Sequence, residues 1–225
     1  MIAAARVPAL GREWIKVCGV RSDADLELCA AAGASHVGIN VHPLSPRAVS
    51  IFLCARLARA ASGAGLVPVL VAAGAPPDES VLAAFGGGFI QLLEAPSPAL
   101  RARLAALDVG VVEARRVTAT NATTSPWGDV LLADAHVAGR PGGTGVRLDP
   151  ALARLVPAPF VLAGGLHPDT VADAIATIAP AGVDAASGLE SAPGVKDEAL
   201  VRAFCAAARA AFTARAHHQE DRDVV

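Results

Sequence analysis

The sequence predicts an α/β fold, a single (β/α)8 TIM barrel, and three observations carry that prediction. Short apolar runs suited to buried strands recur about every 25 residues and alternate with helix-length segments, the pattern of a parallel sheet joined by right-handed crossovers. The apolar fraction is 53% with only 4% aromatics, so the core must be built from Ala, Val and Leu, which let helices lie close on strands. A chain of 225 residues matches one barrel and can bury its core without a staple. Residues 1–225 therefore read as one domain, with 1–13 and 216–225 expected as flexible tails.

The elements follow in order. Trp14 to Cys18 is the first strand, and Ser22 caps a helix that ends at Gly33 with Asp23 and Asp25 in its first turn. Ser35 to Val41 is the second strand, followed by the loop H-P-L-S-P-R and a helix from Val49 to Ala61. Leu66 to Ala72 is the third, although Pro68 lacks a ladder donor and favours edges or bulges. A helix from Pro77 to Phe85, a strand from Phe89 to Leu92 and a helix capped by Ser97 come next. Val109 to Val117 is the fifth strand, but T-A-T-N-A-T-T-S-P-W-G after it is too rich in Thr, Asn, Ser and Pro for a regular helix, so the fifth helix is degenerate. Asp129 to Asp134 is the sixth strand, followed by a long loop and a short helix from Pro150 to Leu155. Phe160 to Ala163 and Val183 to Ala186 are the last two strands, separated by a helix opened by Pro168 and Asp169. A helix from Val195 to Arg215 closes the fold, and the polar tail from His217 is expected to fray.

A net charge of −2 with interspersed signs argues against a nucleic-acid or membrane-surface partner and favours small-molecule chemistry. Cys18, Cys29, Cys54 and Cys205 show no metal-ligand spacing, so no metal is expected and a reducing, cytoplasmic setting is. The oligomeric expectation is a monomer or a homodimer.

In this architecture chemistry sits at the C-terminal ends of the strands. Cys18 ends the first strand, where a thiol beside cations can act as a base or nucleophile, or simply be a small buried residue. Asp134 ends the sixth after V-L-L-A; partly desolvated, its carboxyl would donate a proton, and otherwise it caps a loop. The two strands lie on different sides of the mouth, so these groups could grip a substrate from both. Arg47 offers a guanidinium fork for a carboxylate, and Gln91 and Asp184 are further polar strand-end residues. Gly143 lies in G-G-T-G, a loop suited to closing over a ligand. Gly164 with Gly165, and Ser187 with Gly188, form two glycine-bearing loops after successive strands, whose N–H groups suit a phosphate.

K-V-C-G-V, G-I-N-V-H-P-L-S-P-R, L-L-A-D-A, G-G-T-G, L-A-G-G-L-H-P-D-T-V and V-D-A-A-S-G-L-E-S-A-P-G-V-K-D together resemble the phosphoribosylanthranilate isomerase family of tryptophan biosynthesis, over about Lys16 to Phe204. The resemblance implies a cofactor-free Amadori rearrangement of a phosphorylated substrate. It makes Cys18 the general base, Asp134 the general acid, Arg47 the clamp on the anthranilate carboxylate and Asp184 a neighbour of the ribose hydroxyls. Phosphate would rest on Gly164, Gly165, Ser187 and Gly188. Departures fall on the opposite wall: I-Q-L-L-E puts Leu93 and Glu94 where the family has His and Gly, Glu113 stands where a Lys is common, the third strand ends apolar, and F-D-W becomes Leu148, Asp149, Pro150. A paralogous sugar-phosphate isomerase with a changed aglycone, or a non-catalytic phosphometabolite-binding barrel, remain the alternatives.

Overall fold

The computed structural model describes residues 13–72, 78–135 and 148–223. Eight parallel strands close on themselves in sequence order, β1 meeting both β2 and β8. They are β1 (Trp14–Cys18), β2 (His36–Asn40), β3 (Val67–Val71), β4 (Phe89–Leu92), β5 (Gly110–Val117), β6 (Val130–Ala135), β7 (Val161–Leu162) and β8 (Gly182–Ala185). The helices α1 (Asp23–Ala32), α2 (Ile51–Gly63), α3 (Glu79–Leu82), α4 (Pro98–Ala106), α5 (Pro150–Ala153), α6 (Pro168–Ile178) and α7 (Glu198–Asp223) connect and close them.

The helices start where local chemistry says they should. Ser22 Oγ accepts from the Asp25 N–H at 3.1 Å while Asp25 accepts from the Ser22 N–H at 3.2 Å, a reciprocal capping box. The longer helices α6 and α7 each bury one face at i, i+3, i+4 spacing, Val171, Ala174 and Ile175 on α6, and Val201, Phe204, Cys205 and Ala208 on α7.

Inside the barrel, period-2 alternation sends Trp14, Lys16 and Cys18 of β1 inward in turn. Trp14 stacks on His36 with ring centroids 3.6 Å apart and meets Phe89 at 5.1 Å, which plugs the N-terminal end. Burial, with Lys16 above, pushes His36 down to about 3, so it stays neutral, and its Nδ1 pairs with Ser35 Oγ at 2.7 Å. The opposite, C-terminal end sets polar side chains, among them Gln91, Asp134 and Asp184, between apolar ones.

Pro68 sits within a closed barrel after all, with no edge or bulge. Ala72 N–H reaches the Gln91 carbonyl and Val67 N–H reaches Ser35, so donors on β3 alternate sides. The donor missing at Pro68 would face β4 below its first residue, where no ladder bond is lost.

The fifth helix is absent, as the sequence predicts, and an ion pair covers part of that face. Glu113 and Arg115 point outward from β5, both buried, with Arg115 Nε donating to Glu113 at 2.8 Å. Glu113 accepts from Trp127 N–H at 2.6 Å, and Arg115 donates to the Thr124 carbonyl at 2.7 Å. The pair thus ties down the 118–128 segment from inside. This corrects the expectation that Glu113 alters the mouth: it belongs to the outer layer, two residues from Arg115 on the same face.

Two further corrections concern the C-terminal region. A two-stranded hairpin, β9 (Glu190–Ala192) and β10 (Val195–Lys196), occupies the expected start of the last helix. That helix continues to Asp223, through the segment expected to fray. G-G-T-G with Gly143, and His136, lie outside the described residues.

Candidate active site

The C-terminal end of the barrel opens into a cavity of about 420 Å³. Cys18, Arg47, Gln91, Asp134, Gly164, Gly165, Asp184 and Ser187 all line it, so the structure gathers eight sequence-predicted site residues from six strand ends. Gly188 does not line it. A Cβ there would strike the Leu166 carbonyl and lie 3.0 Å from His167 Cβ, so Gly188 is where the two glycine loops press together.

Cys18 and Asp134 project from strands that are not neighbours, and each is seated by a glycine. A Cβ on Gly38 would lie 2.6 Å from Cys18 Sγ; one on Gly164, itself at φ +90°, would lie 2.5 Å from Asp134 Oδ1. Burial pushes the Asp134 carboxyl up to about 6, Asp184 adding to the effect while the Ala135 N–H, Arg116 and Lys16 oppose it. Burial also raises the Cys18 thiol, against the pull of Lys16.

Arg47 is not the unoccupied clamp that the sequence suggested. Its Nε and Nη2 donate to the two carboxylate oxygens of Glu190 at 2.8 and 2.7 Å, leaving Nη1 as the nitrogen that Glu190 does not engage. Glu190 also accepts from Lys196 Nζ at 2.8 Å, and Lys196 donates to the Ala186 carbonyl at 3.1 Å. Burial would raise the Glu190 carboxyl, but Arg47 and Lys196 outweigh it and hold it below its ordinary range. The S-G-L-E-S-A-P-G-V-K run is therefore a hairpin that sets Glu190 opposite Lys196 in register. Neither residue was anticipated in the site.

Lys16 was missed too, although a lysine inside W-I-K-V-C is a signal, since a buried ammonium needs partners. Its Nζ, fully buried, donates to Asp184 Oδ1 at 3.0 Å and Gln91 Oε1 at 3.2 Å. Arg116, the inward cation of β5, pairs in register with Asp134. On the opposite wall Leu93 is half exposed and lines the cavity with Val71 and Ala72, as expected, whereas Glu94 does not reach it. Leu148 is buried core and Asp149 caps α5, accepting from Ala151 N–H at 2.8 Å.

At the β7 and β8 side, the N–H groups of Gly164, Gly165 and Ser187, which line the cavity, and that of Gly188 beside them have no acceptor among the described residues. Donors at one end of a cavity, with a thiol and a carboxyl whose pKa is raised toward neutrality across its width, define a barrel enzyme suited to acid and base chemistry on an anionic small molecule. Comparison with known proteins makes the assignment specific. A family model of N-(5'-phosphoribosyl)anthranilate (PRA) isomerase matches residues 15–207, and this chain belongs to that family. An N-(5'-phosphoribosyl)anthranilate isomerase of Rhodopseudomonas palustris is 38% identical over 208 residues, 87% of this chain and 95% of that one. One from Halobacterium salinarum is 39% identical over 215 residues, with the same coverage. Among solved structures, TrpF from Jonesia denitrificans is 36% identical with a TM-score of 0.70, covering 89% of this chain and 98% of that chain. A phosphoribosyl anthranilate isomerase in complex with reduced 1-(o-carboxyphenylamino)-1-deoxyribulose 5-phosphate, 23% identical with a TM-score of 0.69 over 88% of this chain, shares the fold.

Proposed function

We propose that the chain is an N-(5'-phosphoribosyl)anthranilate isomerase and that Cys18 and Asp134 carry its proton transfers. The observation that supports this most is their convergence, a thiol on β1 and a carboxyl raised to about 6 on β6, on one cavity. Asp134 protonates the furanose ring oxygen as the C1–O bond breaks, and the anilino nitrogen lone pair forms the C1 iminium. Cys18, as thiolate, then removes the C2 proton, and the C2–H electron pair flows into the iminium to give an enolamine. Tautomerisation of that enol delivers the 1-deoxyribulose. The iminium is itself the electron sink, so the rearrangement needs no cofactor.

The substrate phosphate is placed on the Gly164, Gly165, Ser187 and Gly188 N–H groups, which lack other acceptors, and Asp184 faces the ribose hydroxyls. Gln91 lines the substrate cavity, and Arg47, aligned by Glu190, meets the anthranilate carboxylate through Nη1. The G-G-T-G loop with Gly143 is assigned to substrate on the resemblance alone. The enzyme is placed in the cytoplasm as a monomer or homodimer, in keeping with four free cysteines; among the described residues no helix is long and apolar enough to cross a membrane. Leu93 on the cavity wall favours, as second reading, a changed aglycone.

The test follows loss of phosphoribosylanthranilate fluorescence, together with rescue of a tryptophan auxotroph lacking this step. Turnover with rescue is expected. No turnover at micromolar enzyme refutes the proposal, and turnover only of another N-glycoside favours the changed aglycone.

A further inference from the structure

Lys16 is a buried cation to which the roles above give nothing to do. It lies two residues before Cys18 on the same inward face of β1, at the floor of the cavity, with its ammonium held by β8 through Asp184 at 3.0 Å and by β4 through Gln91 at 3.2 Å. Burial opposes its positive charge, but Asp184 first and Cys18 second outweigh that, so it holds its proton more tightly than an ordinary lysine.

The charges that face Cys18 can be counted. They are Lys16 on its own strand, Asp184 on β8, Lys196 on β10 and Arg47 after β2, the last two sharing Glu190. Three cations thus stand against two carboxylates, and a Cys18 thiolate completes the balance. Without Lys16 the same thiolate would be a third anion facing two cations in a water-poor barrel, where uncompensated charge is costly.

We propose that Lys16 is a positioning residue shared between base and substrate site: its fixed charge allows Cys18 to form a thiolate, while its bond to Asp184 aims that carboxylate into the cavity. The inference rests on the isomerase reading for what the thiolate does, but not for whether it forms. The cation acts on the sulfur by charge, and Asp184 acts in the opposite sense.

That opposition supplies the experiment. Lys16→Met alone strands Asp184 in the barrel and risks the fold, so the comparison is Asp184→Asn against the double variant Lys16→Met/Asp184→Asn, which buries no charge at this pair. Cys18 carbamidomethylation by iodoacetamide is followed from pH 6 to 10 by mass spectrometry of the Cys18 peptide. Relative to wild type, Asp184→Asn should move the thiolate limb to lower pH. Relative to Asp184→Asn, the double variant should move it up by about one pH unit, a ~10-fold slower reaction below the limb. Coincident limbs in the two variants overturn the proposal. Failure of the isomerase reading looks different: wild type would show no turnover while the two limbs still separate.

Discussion

Gly38→Ala is the sharpest test of how Cys18, the proposed base, is seated. Gly38 pairs with Cys18 in the β1–β2 register, and both inward positions share one space. A methyl group at Gly38 would lie 2.6 Å from Cys18 Sγ, 3.0 Å from its Cα and 3.2 Å from its Cβ. The backbone has little freedom to retreat, because the Gly38 carbonyl accepts from both Gly19 N–H at 2.8 Å and Val20 N–H at 3.0 Å. Relief must come mainly from the sulfur, by about 1 Å, and a displacement of that size at a reacting atom costs on the order of 100-fold in rate. Overpacking by one methyl costs about 1–3 kcal/mol of stability, which denaturant titration can check separately. The assay is kcat/KM from the fluorescence loss, with Cys18 alkylation as an independent report on the sulfur. A variant within threefold of wild type in both would refute the reasoning.

Cys18→Ala and Asp134→Ala should each abolish turnover while leaving the affinity for a reduced product analogue, measured by calorimetry, largely intact; wild-type rate in either one would remove its role. Asp134→Asn should also stabilise the fold at pH 8. The carboxyl is pushed from 3.8 to about 6, so the native state resists its ionisation and loses stability as pH rises from about 4 to 6. The variant should therefore be about 1–3 kcal/mol more stable than wild type at pH 8 and equal to it near pH 4, read from urea midpoints. Glu113→Ala should destabilise by roughly 3–5 kcal/mol by stranding Arg115, while Glu113→Leu/Arg115→Met recovers most of that; equal losses would show that the pair does not hold the 118–128 segment. The kcat/KM of wild type should rise through pH 6 and stay level beyond the ordinary thiol range, and a fall beginning at pH 6 would refute the order of ionisation given below.

The barrel was legible because its signals are local and repeated: capped helices such as that after Ser22, and apolar runs at constant spacing. Strand-end position then pointed to Cys18 and Asp134, which do line the cavity, because the C-terminal ends of barrel strands face it. The misreadings share a cause. Arg47 was credited with an open fork because its partner Glu190 is far along the chain, and the hairpin that delivers Glu190 and Lys196 has strands too short for a periodic signal. Glu113 was placed at the mouth because a family pattern gives a position but not the direction of a side chain; the alternation inward of Val112, Ala114 and Arg116 supplies it. Lys16 alone was readable in advance, as a charge inside an apolar strand.

On the proposed roles, Cys18 and Asp134 present a mechanistic problem that the geometry helps to resolve. With Asp134 near 6 and the Cys18 thiol above its ordinary 9.0, the neutral-pH resting site holds a carboxylate and a thiol, each in the wrong state for its task. The working form, carboxylic acid and thiolate, differs from the resting one only in where a single proton sits. Both carry the same total charge, so the exchange leaves the net charge of the site unchanged; Lys16 acts on both groups, Arg116 on Asp134, and Lys196 and Arg47 on Cys18. Substrate then tips the choice. An anionic phosphate at the β7 and β8 loops favours protonated Asp134, whose neighbour Gly164 belongs to one of those loops, and the iminium formed at C1 favours the thiolate across the cavity. The weak acid and reluctant base are thus matched to a substrate that brings negative charge at one end and develops positive charge at the other, so that protonation of the ring oxygen creates the cation that makes Cys18 competent.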